Sequence, residues 1–94
     1  MDDITFADNT GAHHFELRKA GAVAAYAEYE LEKGAVRITH TEVLPGNEGQ
    51  GLGSKLAKFA LGEVRNRGVK VIAQCEFIAG YIAKHPEYAD LLAS

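Results

Sequence analysis

The chain of 94 residues is 47% apolar and 24% charged, a balance that suits one globular domain with a modest core and calls for no metal or disulfide staple. A formal net charge of −3 gives no general attraction to nucleic acid or to an anionic membrane surface, and no apolar run approaches the length of a membrane span. The single cysteine, Cys75, excludes an internal disulfide framework; together with a start, Met1-Asp2-Asp3, that lacks the basic and apolar regions of a signal peptide, it points to the cytoplasm.

Ile4-Thr5-Phe6 alternates and runs into the turn cluster Asp8-Asn9-Thr10-Gly11, so it reads as a short first strand. A second strand is predicted from His13 to Lys19, with Phe15 and Leu17 on one face and His14, Glu16 and Arg18 on the other, ending at Ala20-Gly21. Val23 to Leu31 is alanine-rich, but its period of two and the Glu32-Lys33-Gly34 turn favour a third strand with Val23, Ala25, Ala27, Tyr29 and Leu31 on its apolar face. Val36 to Val43, rich in β-branched residues, is the fourth. Connections this short join antiparallel neighbours. A helix follows from about Gly51 to Arg67, closed by Gly68. Val69 to Gln74 is a fifth strand, which can return parallel to the fourth through a right-handed crossover. A second helix is predicted from about Phe77 to Lys84 with Phe77, Ile78, Tyr81 and Ile82 as its apolar stripe; Pro86 interrupts it, and Tyr88 to Leu92 makes a last short turn. The order β-β-β-β-α-β-α gives an α+β domain with one mixed sheet over residues 1–94.

Between the fourth strand and the first helix lies Pro45-Gly46-Asn47-Glu48-Gly49-Gln50-Gly51-Leu52-Gly53-Ser54. Gly49, Gly51 and Gly53 leave the backbone bare where a helix begins, and the first N–H groups of a helix have no intrahelical partner and favour negative charge. A phosphate or pyrophosphate fits such a place. Neither familiar phosphate motif is present: the P-loop fails because Ser54 separates Gly53 from Lys55, and the dinucleotide fingerprint fails because its third glycine comes one residue early. Residues 46–70 carry five bases, Lys55 and Lys58 among them, against two acids, which suits a ligand with several phosphates. If the fourth and fifth strands are parallel, Val43 and Cys75 end on the same side, beside the loop. An amide-bearing arm could then pair with Glu42 to Leu44 as a pseudo-strand and reach toward Cys75. Coenzyme A has this shape.

The chain resembles the GNAT superfamily of acyl-CoA-dependent N-acetyltransferases, and in particular a minimal single-domain branch with an active-site cysteine. The motifs that carry the resemblance are His40-Thr41-Glu42-Val43, Gly49-Gln50-Gly51-Leu52-Gly53, Cys75-Glu76-Phe77 and His85-Pro86-Glu87-Tyr88. It implies a GNAT-like mixed sheet with an acyl-CoA site between splayed fourth and fifth strands, and an N-acetyltransferase that moves the acetyl group of acetyl-CoA to an amine. The expected cofactor contacts are Glu42, Val43 and Leu44 on the strand end, Gly49, Gln50, Gly51, Leu52, Gly53, Ser54 and Lys55 in the loop and helix start, and Cys75 beside the thioester. Three departures stand out. Glu48 occupies a place where the superfamily usually has Arg or Gln, Ala73 and Glu76 replace prolines common in the branch, and the tyrosine acid of larger members aligns with Ile82. These features keep open an alternative, a CoA-binding module or sensor without transfer activity.

Cys75 and His40 are the expected catalytic residues. A lone thiol is most often a small core hydrophobe, but this one precedes a helix start at the site, and the resemblance turns it toward the thioester. His40 on the fourth strand is either a hydrogen-bonded sheet residue or a proton acceptor for the incoming ammonium. His85, before Pro86, is read as a helix end. His13 and His14 point to opposite faces if both are in the strand, so no metal site is expected.

Overall fold

A computed structural model describes residues 3–93. Five strands form one sheet in the order β1-β2-β3-β4-β5: β1 (Ile4–Asn9), β2 (His14–Lys19), β3 (Ala22–Glu32), β4 (Ala35–Val43) and β5 (Lys70–Ala73). The first four pair antiparallel and β5 pairs parallel to β4, the arrangement expected from the short turns and the single helical crossover. Helix α1 (Leu52–Asn66) lies between β4 and β5 in the chain; α2 (Glu76–Lys84) and a 3₁₀ turn (Pro86–Leu91) follow β5. Leu92 returns to bridge Val71 on the outer edge of β5.

Several boundaries move. Asp8 and Asn9, read as a turn, extend β1 by pairing with Phe15 and His14. The turn falls instead on residues 10–13, where His13 takes a left-handed φ of 57° and so lies outside β2. Asn9 Oδ1 accepts the Ala12 N–H, an Asx-type contact that settles the turn there. In β3, Ala25, Ala27 and Tyr29 are buried as expected, but Leu31 is 62% exposed. It stands at the far end of a long hairpin, past a register shift between Glu28 and Tyr29. Helix α1 keeps Gly51 as N-cap and Gly68, at φ 72°, just past its end. The second helix begins at Glu76, not Phe77, with Cys75 as its N-cap, and only Ile78 and Ile82 of its stripe are fully buried.

The core joins Phe15, Leu17, Ala25, Ala27 and Tyr29 of the sheet to Leu52, Leu56, Ala60, Leu61 and Val64 of α1 and to Ile78 and Ile82 of α2. At 25 cal/mol per Å², each large aliphatic side chain buried here contributes about 1.5–3 kcal/mol. Alanines at 25 and 27 let α1 sit close to the sheet, which fixes the height of the helix start over the end of β4. The other face of β2, β3 and β4 is polar. It carries His14, Glu16, Tyr26, Glu28, His40 and Glu42 in cross-strand register.

Candidate functional site

The geometry that matters begins where β4 and β5 part. They pair only from Ala35↔Lys70 to Ile38↔Ala73, and the Cys75 N–H donating to the Ile38 carbonyl at 3.0 Å is the last rung. Residues 39–43 of β4 continue alone on that side. Leu44 N–H donates to the Ala24 carbonyl at 2.8 Å, toward β3. By strand alternation, the Val43 and Thr41 amides therefore face the gap. Of the three residues expected to pair with a ligand arm, Leu44 is thus engaged with β3, Glu42 faces the same way, and Val43 faces the gap together with Thr41.

The glycine loop closes one end of that gap. Gly46, Gly49 and Gly51 have φ of 89°, 78° and 70°, so the loop needs glycine at these turns. The first intrahelical bond of α1 is Lys55 N–H to Gly51 O at 3.2 Å, and Gly51 has no side chain with which to cap. The N–H groups of Leu52, Gly53 and Ser54 consequently have no helical acceptor. Glu48 lines the same cavity as these residues, and its carboxylate accepts the Gly46 N–H at 2.9 Å and braces the loop. Gln50 accepts a hydrogen bond from Lys19 at 2.5 Å, tying the loop to β2. Gly53 lies close under Phe77: a Cβ there would come 2.9 Å from the tip of its ring, which would have to shift.

Two cavities meet at this point. One of about 270 Å³ runs from Val43 along Gly49, Gly51 and Leu52 to Ser54. The other, of about 290 Å³, lies between Ser54 and α2 and is lined by Gly80, Tyr81, Lys84 and His85. Both are lined by Ser54 and Phe77, so they form one groove with Phe77, 43% exposed, at its waist. A larger cavity than either, about 530 Å³, is elsewhere, between Phe6 and α1. It has no free helix start and no splayed strand, so chemistry and not size selects the groove. Lys55 and Lys58 line that other cavity and neither half of the groove; Lys84 is the base that lines it.

Cys75 and His40 are placed differently from each other. Ala73 is level with Ile38, so Cys75 comes level with the 40–41 region, and its thiol reaches Thr41 Oγ1 at 3.4 Å. Thr41, not Val43, is therefore its neighbour. Thr41 shares a face with Ala27, whereas His40 pairs with Glu28 on the opposite, polar face. There His40 Nε2 lies 3.0 Å from Glu42 Oε1, and the Tyr26 hydroxyl donates to the same carboxylate oxygen at 3.4 Å. Burial raises the Tyr26 pKa, and the charges of Glu42 and Glu28 raise it further, so Tyr26 is a donor here. Beneath them, Glu16 is almost fully buried. Burial pushes its pKa up, but hydrogen bonds from Arg18, His14 and Asn9 outweigh that and hold it at about 2. His85 Nδ1–H donates to the Tyr81 carbonyl at 2.9 Å, and the imidazole stacks on the Tyr81 ring, in keeping with a helix-ending residue. Ile82, where larger relatives would carry a tyrosine acid, is 3% exposed and belongs to the core. Among the described residues no cluster of ligating side chains could hold a metal ion.

Sequence reasoning missed Thr41, Phe77 and the Tyr26–Glu42 contact. Parity could have found Thr41, since it shares a face with Val43; the other two depend on register and helix approach.

A family model described as GCN5-related N-acetyl-transferase matches residues 14–91. Among solved structures, the chain is similar to a GCN5-like putative N-acetyltransferase from Staphylococcus aureus, at 26% identity and a TM-score of 0.73 over 100% of this chain and 92% of that one. It also shares its fold with the ribosomal-protein-S18-alanine N-acetyltransferase of Escherichia coli, at 20% identity and a TM-score of 0.65 over 89% of this chain and 76% of that one. A GNAT family acetyltransferase from Brucella melitensis, solved in complex with acetyl-CoA, gives 22% identity and a TM-score of 0.59 over 81% of this chain and 54% of that one. No curated protein sequence matches the chain.

Proposed function

The chain belongs to the GCN5-related N-acetyltransferase family, and from that premise we propose that it binds acetyl-CoA along the groove and transfers the acetyl group to an amine. The observation that carries this reading is the coincidence of a splayed β4–β5 gap with an uncapped, glycine-lined helix start. The N–H groups of Leu52, Gly53 and Ser54 suit the pyrophosphate, and the free amides of Thr41 and Val43 suit the amide-bearing arm. Lys84, and not the expected Lys55 or Lys58, is in position to meet a phosphate at the far end of the groove. Acetyl-CoA supplies the activated acyl group.

The sheet itself divides the labour. On the helix side, the Val43 N–H is positioned to polarise a carbonyl in the gap, and Cys75 lines the wall with its thiol held by Thr41. On the polar side, about half-exposed His40 can take the proton of an approaching ammonium. With Nε2–H donated to Glu42, its Nδ1 is left as the acceptor. The acceptor amine thus comes to the gap from the face that bears His40. A lining role for Cys75, without an obligatory acyl-enzyme, follows from this separation. A free thiol and no helix long and apolar enough to cross a membrane, among the described residues, accord with a place in the cytoplasm.

The burial of Ile82 supports a second reading, a CoA-binding module or sensor without transfer, because the position of the usual tyrosine acid is closed. Calorimetry with acetyl-CoA, followed by mass spectrometry over a panel of amines and peptides, separates the readings. Binding with an acetylated acceptor supports the enzyme; binding with neither transfer nor hydrolysis supports the sensor; absence of binding removes both.

A further inference from the structure

We propose that the cavity between β1 and α1 is a second binding site, for a small amphiphilic anion with an apolar, ring-sized body and one acidic group. At about 530 Å³ it is larger than either half of the groove and within the range of small-molecule sites. It shares no lining residue with either half of the acetyl-CoA groove, so it does not rest on that reading.

Its apolar wall is the ring of Phe6 stacked on that of Phe59 at 5.1 Å and 20°, with Phe15 edge-on behind. Phe6 is 38% exposed although it stands on the core-facing side of β1, opposite buried Leu17. Its floor is Gly62, in the middle of α1. Glycine is the poorest helix former after proline, and here it is not demanded by φ or by any neighbour: a Cβ at Gly62 would meet nothing within 4 Å. The space over Gly62 is therefore kept open at the helix's expense, with nothing among the described residues within 4 Å of a Cβ there. At the rim stand Lys55 and Lys58, neither of which forms an ion pair among the described residues, against the single carboxylate of Glu63. Two free ammonium groups beside an aromatic wall complement an apolar anion, whose acidic group would lie at the lysines and whose body would lie on Phe6, Phe59 and the bare backbone of Gly62.

The probe is 8-anilinonaphthalene-1-sulfonate, a two-part aromatic body with one sulfonate, followed by fluorescence on the folded protein. Binding of one equivalent is expected. Gly62→Leu, which fills the floor and favours the helix, should weaken it at least tenfold, and Lys58→Gln at least threefold, while saturating CoA should leave the probe bound. The idea is overturned if a Gly62→Leu protein with wild-type circular dichroism binds the probe as before, if CoA displaces it, or if no binding is seen below millimolar probe.

Discussion

Ser54→Glu sets the two demands on the helix start against each other. Ser54 is the third residue of α1, exposed, at the point where the two halves of the groove meet. The first turn contains no acidic residue, and Gly51 gives no side-chain cap. A carboxylate here meets free N–H groups and the positive end of the helix dipole, so the fold should gain about 0.3–1 kcal/mol. The same charge stands where the pyrophosphate is proposed to lie. At a separation of roughly 6 Å and an effective dielectric of about 40, each like charge costs about 1.4 kcal/mol, so two cost about 3 kcal/mol. CoA affinity should then fall by about a hundredfold while the urea midpoint rises. Calorimetry and urea melts on the same preparation read both quantities. Unchanged CoA affinity in the folded variant would put the pyrophosphate elsewhere; a lower urea midpoint would mean that the helix start is not open to an anion at all.

Other substitutions probe the remaining parts. Glu16, held at about pKa 2 against an ordinary value of 4.5, contributes stability that is present above pH 4.5 and is lost as pH falls through 2. The full shift corresponds to about 3 kcal/mol, which the 43% exposure of the Arg18 side chain reduces to about 1–2 kcal/mol by solvent screening. Urea melts of wild type and Glu16→Gln should therefore differ fully at pH 7, approach each other below pH 4.5 and converge only as pH falls below about 2, and a gap independent of pH would refute the ion-pair explanation. Cys75→Ala should bind CoA within about fivefold of wild type, since a small thiol contributes at most about 1 kcal/mol of packing, and should retain part of any transfer; complete loss of transfer with normal binding would make the thiol obligatory. His40→Ala should lower kcat about a hundredfold with CoA affinity unchanged, and an equal loss in both would make His40 a binding residue instead. Lys84→Ala should weaken CoA about fivefold, roughly 1 kcal/mol, and dephospho-CoA less; equal weakening of the two would place the terminal phosphate away from α2.

Most of the fold was legible because local chemistry and tertiary packing agree. Short turns dictate the meander, and Gly51 and Gly68 bracket α1 as their conformational freedom requires. Where the reading slipped, a residue answered to something distant in sequence. Asn9 belongs to a turn by type, yet its side chain serves that turn from inside β1, pairing with His14. Leu31 fits the period of two but extends past the helix that would cover it. At the site, the loop glycines were visible as a motif, while the partner of Cys75 was not. It depends on how far β5 runs before it leaves β4, a four-residue pairing that ends at Ile38. Lys55 and Lys58 illustrate the same limit: charge is countable along the chain, but the helix turns these side chains toward Phe6.

The most direct measurement is an amide-resolved NMR titration of the isotope-labelled protein with acetyl-CoA. If the coenzyme lies along the gap with its pyrophosphate on the helix start, the largest shifts fall on the amides of Thr41, Val43, Leu52, Gly53 and Ser54. Shifts that leave those amides silent and gather on another surface would contradict the proposed site.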